Sequence, residues 1–145
     1  MKENGLKILE EIRKSGFDNL PANSKITRNK DAAVGDIIIF QRPTFTGSFR
    51  RPKFAGYETI LAEVQKESYG FETQQHTFTL KNIETDTTFR IKGRNLYGTN
   101  FIRILGNDDY ELKRKEIADE KHRRGAFARE GRTYRKEMNE VLSKV

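Results

Sequence analysis

Val34-Gly35-Asp36-Ile37-Ile38-Ile39-Phe40 is the stretch whose reading decides the fold. A Gly-Asp turn that opens onto a β-branched run marks the entry to a strand. Working outward, Thr59 to Gln65 reads as a second strand, with Ile60, Ala62 and Val64 on one side and Leu61 needing cover on the other. His76-Thr77-Phe78-Thr79-Leu80 alternates apolar and polar residues, Asn82 to Thr87 can turn, and Thr88-Phe89-Arg90-Ile91 alternates back, which is a hairpin. Gly93-Arg94-Asn95-Leu96-Tyr97-Gly98 reads as a tight single turn before a fifth short strand at Phe101-Ile102-Arg103-Ile104-Leu105. Five short strands within about seventy residues predict a closed or nearly closed small barrel.

The flanks read differently. Asn4 is placed to cap a helix over 5–15, with Leu6, Leu9 and Ile12 in one stripe, Ile8 alongside, and Gly16 as its stop. That helix either lids the core through Phe17 and Leu20 or meets a partner. From Asp109 to Val145 the chain is rich in Glu, Lys, Arg and Ala and reads as a helical tail with breaks near Gly125 and Gly131. The fold class expected is α+β, mostly β, with a five-stranded barrel at 33–106, a helix and linker at 1–32 and a basic helical tail at 107–145.

Composition limits the function classes. The chain of 145 residues carries 28 Lys and Arg against 21 Asp and Glu, a formal charge of +7 suited to a polyanionic partner. It has no cysteine, and His76 and His122 are far apart, so neither a disulfide framework nor a zinc site is expected. No apolar run approaches the roughly 20 residues needed to span a bilayer, so a cytoplasmic protein with no membrane partner is expected. There is no HExxH, no Gly-rich phosphate loop and no compact carboxylate cluster in the strands, which argues against an enzyme, and no metal or other cofactor is expected.

The ordered series from Val34-Gly35-Asp36-Ile37 through the Arg94-Asn95-Leu96-Tyr97 turn to Phe101-Ile102-Arg103-Ile104 resembles an SH3-like small barrel of the KOW type over residues 33–105. The resemblance implies binding to DNA, RNA or the transcription and translation machinery. The chain departs from that pattern in its long segment between the first two strands, where only Gly56 loosely stands for the family's glycine. With the enlarged loop and helical flanks, the whole is similar to DNA-binding proteins of T-even bacteriophages. That implies a nucleoid or transcription role in the cytoplasm of an infected bacterial cell.

Three groups of residues are candidates for holding nucleic acid. Gln41 to Gly56 reads QRPTFTGSFRRPKFAG and places Arg42, Arg50, Arg51 and Lys53 among Phe45, Phe49 and Phe54 with no acidic residue. It is expected to project as a loop stiffened by Pro43 and Pro52. Cations there would neutralise phosphates, and Phe45 or Phe49 would stack on a base or wedge a groove. The competing reading folds the phenylalanines back onto the barrel or the first helix and leaves the arginines merely solvated. The second group lies in the tail, where Arg123, Arg124, Arg129, Arg132 and Arg135 head a run that also includes Lys113, Arg114, Lys115, Lys121 and Lys136. Those cations either line a duplex backbone or form a solvated face. The third is Lys92-Gly93-Arg94-Asn95 with Tyr97, where Lys92 and Arg94 supply the cations. DNA is expected ahead of RNA, with little sequence readout, since no base-reading helix is recognisable. An RNA-binding or transcription-machinery module, or a protein-interaction inhibitor of a host factor, is the alternative, and the sequence leaves the oligomeric state open.

Overall fold

The computed structural model describes residues 1–20, 25–28, 31–69 and 76–143; part of the expected linker and the last two residues of the expected tail lie outside them. The elements are α1 (Lys2–Ser15), β1 (Ile26–Thr27), β2 (Ile37–Ser48), β3 (Arg51–Tyr69), β4 (His76–Asn82), β5 (Thr88–Lys92), α2 (Gly93–Tyr97), β6 (Ile102–Ile104) and α3 (Asp108–Ser143). The fold is α+β. Its strands form one antiparallel sheet in the order β1-β6-β2-β3-β4-β5.

Six strands stand where five were expected, and the sheet is open. β1, at one edge, is only two residues long, and β5, at the other, pairs with β4 alone and leads directly into α2. The sheet nevertheless curls. On a flat sheet β2 and β5 would be separated by three strand spacings, roughly 14 Å. The rings of Phe40 on β2 and Phe89 on β5 are 6.4 Å apart.

Period-two alternation sorts Ile37-Ile38-Ile39-Phe40 onto both faces of the sheet, and both faces are covered, which explains the unbroken apolar run. On the concave face Ile38, Phe40, Ile60, Ala62, Val64, Phe78 and Leu80 form one core with Leu96 and Phe101. On the other face Ile37, Ile39, Leu61, Ile102 and Ile104 pack under Ile8, Leu9 and Ile12 of α1. The cover that Leu61 required is therefore α1, with Phe17 and Leu20 at its edge.

Two details of α1 differ from expectation. The helix starts at Lys2 with Met1 as its cap, so Asn4 lies inside it, and Leu6 is exposed while Gly5 is buried. Gly5 lets the helix lie close on the sheet, because a Cβ there would sit 3.0 Å from Leu61 Cδ1.

α3 is one continuous helix of 36 residues, without the breaks expected at Gly125 and Gly131. A glycine costs a helix about 1 kcal/mol, which the long helix-forming context outweighs, and Gly125 is buried at the end of the docked part. The helix docks through polar groups. Tyr110 Oη donates to Asp36 Oδ1 at 2.9 Å, and Arg114 Nε reaches both Asp36 oxygens at 3.0 Å while its Nη2 donates to the Asp31 carbonyl at 2.7 Å. Asp36, 0% exposed, also accepts the Ala33 N–H at 2.8 Å. Burial and the neighbouring Asp36 carboxylate both push the Tyr110 phenol above its ordinary pKa. Two turns on, Lys121 Nζ donates to Asp31 Oδ1 at 2.9 Å and Tyr97 Oη at 2.7 Å and lies 3.1 Å from Glu67 Oε1. Burial opposes the Lys121 charge, yet these acceptors hold its pKa above the usual lysine value, so it stays protonated at neutral pH.

Removing one member of the Asp36–Arg114 pair strands a buried charge, a change that costs about 3–5 kcal/mol. Asp36→Ala is expected to lower unfolding free energy by that order in urea titration, while Asp109→Ala, at the exposed start of α3, is expected to change it by less than about 0.5 kcal/mol.

Candidate nucleic-acid interface

Residues 41–56 are not an irregular loop. β2 and β3 remain paired out to Ser48 and Arg51, so the segment is a two-stranded ribbon that extends well past the rest of the sheet. The register slips once, between Thr44 and Phe45, where Ala55 and Gly56 form a bulge. Near the tip Gly47 has φ +92°, and a Cβ on it would meet the Arg51 carbonyl oxygen at 2.8 Å, so the turn as built requires glycine. Phe49 and Arg50 form the two-residue turn between the paired Ser48 and Arg51.

Pairing sorts the interleaved cations and rings onto two faces. Arg42 opposite Glu58, Thr44, Thr46 opposite Lys53, and Ser48 opposite Arg51 share one face. Pro43 opposite Tyr57, Phe45 opposite Phe54, and Gly47 opposite Pro52 share the other. The rings on that second face touch edge to face, Phe45 to Phe54 at 6.2 Å and Phe54 to Tyr57 at 5.3 Å between centroids. Phe45 is 60% exposed, Phe54 59%, Tyr57 66% and Phe49 102%. The competing expectation, in which the phenylalanines fold back onto the barrel, does not describe them.

The cations of the ribbon are not equivalent. Arg42 is ion-paired with Glu58 and lies over the Phe89 ring at 5.3 Å, so it braces the root of the ribbon. Arg50, Arg51 and Lys53 are exposed around the tip. Arg94, exposed on α2, faces the ribbon root across a cleft of about 490 Å³ that is also lined by Gln41, Pro43, Tyr57, Asn95 and Thr99. Lys92 is exposed at the end of β5, paired opposite Thr77, and does not line this cleft. Tyr97 turns the other way, accepting from Lys121, and burial raises its pKa.

In the tail, Arg114 and Lys121 face inward and dock the helix, so they are not part of a cationic surface. Arg123, Arg124 and Arg129 are exposed, whereas Arg132 and Arg135 are half-buried. α2 stands between the two basic segments, with Arg94 toward the ribbon and Tyr97 toward α3.

Sequence reading passes over Tyr57, and it names Gln41, Phe54 and Asn95 only as parts of candidate stretches without giving them a contact. A signal for part of this was present: Gln41-Pro43-Phe45-Gly47 and Arg42-Thr44-Thr46-Ser48 alternate with strand periodicity. Two prolines and a glycine made the same stretch look like a loop.

Residues 33–104 match the family model described as a domain of unknown function, DUF7699. Over 139 residues the chain is 30% identical to a protein of rice, Oryza sativa subsp. japonica, described as zinc finger CCCH domain-containing protein 62. That alignment covers 86% of this chain and 20% of the rice protein, so the chain spans about a fifth of the length of this curated relative. No solved structure matches the chain. With no cysteine, the chain itself carries no CCCH zinc site.

Because Phe49 makes almost no contact with the folded protein, Phe49→Ser is expected to change unfolding free energy by less than about 0.5 kcal/mol in thermal or urea denaturation. Any change in ligand affinity in that variant then reports on binding alone.

Proposed function

We propose that the protein is a non-enzymatic nucleic-acid-binding protein that takes DNA with little sequence specificity and acts in transcription or nucleoid organisation. The observation that carries the proposal is the ribbon tip, where a fully exposed Phe49 stands among Arg50, Arg51 and Lys53 with no acidic residue between Gln41 and Gly56. A projecting two-stranded arm of this kind can follow a groove, its cations neutralising phosphates and its tip residue wedging or stacking. Burying Phe49 against a ligand gives a reason for an exposure that folding alone does not reward.

We also propose that the curled open sheet is an SH3-like small barrel of the KOW type. Its support is the order of strands and the short α2 before β6. The likeness to the T-even phage DNA-binding protein MotB points to the same ligand class. In this reading Arg50, Arg51, Lys53 and Arg94 make the primary contact, and Arg123, Arg124 and Arg129 lengthen the footprint. The absence of a base-reading helix on the ribbon leaves sequence readout weak.

A protein-interaction module is the second reading, favoured by α3. Phe127, Tyr134, Met138 and Val141 are all exposed there and fall near one helical face.

The test is a titration of labelled DNA of scrambled sequence at several salt concentrations. The logarithm of affinity should fall linearly with log salt, by roughly 0.9 for each phosphate neutralised on duplex. Replacing both Arg50 and Arg51 with Ala is expected to weaken all sequences about equally and to reduce the slope by roughly 2. No binding at low salt would refute the proposal.

A further inference from the structure

We infer that the aromatic face of the ribbon, together with the cleft at its root, is a track for an unpaired strand of nucleic acid, and that single strands rather than duplex are the preferred ligand. This inference rests on the nucleic-acid reading above and specifies its substrate class.

The face is continuous. Phe45, Phe54 and Tyr57 form a row with centroid spacings of 6.2 and 5.3 Å, each ring more than half exposed. Tyr57 then forms one wall of the cleft that Arg94, Asn95 and Gln41 also line. A row of rings on a sheet surface binds bases through their π-faces, which duplex stacking conceals. A duplex laid on this face would present sugar and phosphate to phenyl rings, wasting the aromatic contact and desolvating charge.

The cleft suits one unstacked base. Tyr57 and Pro43 offer flat apolar surfaces. Gln41 and Asn95 bring side-chain amides, each with donor and acceptor, which is the chemistry of a base edge. Gln41 Nε2 donates to Thr59 Oγ1 at 3.3 Å, which uses one N–H of the amide and leaves its carbonyl oxygen and second N–H able to pair with a base edge.

Charge complements this arrangement. Arg94 stands at one end of the track and Arg50 at the other, while Arg51 and Lys53 rise from the opposite face of a ribbon only two strands wide. Long cationic side chains reach round such an edge to phosphates, leaving the rings to the bases.

The experiment measures anisotropy of a labelled scrambled 20-nucleotide DNA, as single strand and as duplex, with the full chain and with Tyr57→Ala, Phe54→Ala and Tyr57→Phe. Single strand is expected to bind at least tenfold more tightly than duplex. Losing one stacking ring should weaken the single strand on the order of 5- to 100-fold and leave the duplex unchanged, with Tyr57→Phe retaining wild-type affinity. Unchanged melting of the variants identifies the loss as one of binding. Equal or tighter binding of duplex, with Tyr57→Ala neutral, overturns this inference while the nucleic-acid reading stands. No binding of either probe overturns both and leaves the aromatic face to a protein partner.

Discussion

Asp36 is the constraint on which the rest of this structure depends. A carboxylate with no solvent exposure survives only if its lone pairs are all used, and here they are used by three residues from two places in the chain. The Ala33 amide fixes the turn that delivers β2, Tyr110 and Arg114 fix the start of α3, and the same Arg114 ties down the backbone at Asp31. A buried charged cluster of this kind contributes less to stability than to uniqueness, since few other docking angles for α3 would satisfy the same acceptors. Apolar burial between α3 and the sheet is small, with Ala118 its one buried hydrophobic side chain among the described residues. A charged helix with a thin apolar stripe is thereby held by directional bonds.

With the base of β2 anchored at Asp36, its far end can extend. The sheet body buries Ile37 to Phe40, and beyond them β2 and β3 rely on each other. Such an arm has no core of its own. It is stiffened by the Arg42–Glu58 pair resting on Phe89, by the edge-to-face rings and by two prolines placed where the ribbon's outer edges need no ladder donor. These devices order the ribbon while leaving its aromatic face and its tip accessible, an arrangement suited to meeting a ligand.

Much of the fold was legible. The strand after Gly35-Asp36 follows from its unbroken β-branched run and the last strand from the apolar residues of Phe101 to Leu105, whereas the His76–Ile91 hairpin follows from period-two alternation, because burial on one sheet face imposes that period directly. The requirement for cover over Leu61 was legible for the same reason. The edges of the sheet were not. β1 is two residues of ordinary composition, and whether β5 meets another strand depends on where α2 turns the chain. Nor were the helix limits: Asn4 read as a cap and Gly125 and Gly131 as breaks, yet all three lie inside helices.

For the candidate site the division is sharper. The sequence by itself determined the inventory: a cation-rich stretch with exposed-looking rings, no acid within it, no cysteine, and a basic tail. Which of those residues lie together is a property of the folded chain. Pairing across the ribbon separated rings from cations, brought Arg94 and Asn95 to Tyr57 from a distant part of the chain, and withdrew Arg114 and Lys121 into the docking seam. The reason is that composition fixes what chemistry a chain can offer, whereas contacts between residues far apart in sequence depend on register and on helix placement, which local patterns do not encode.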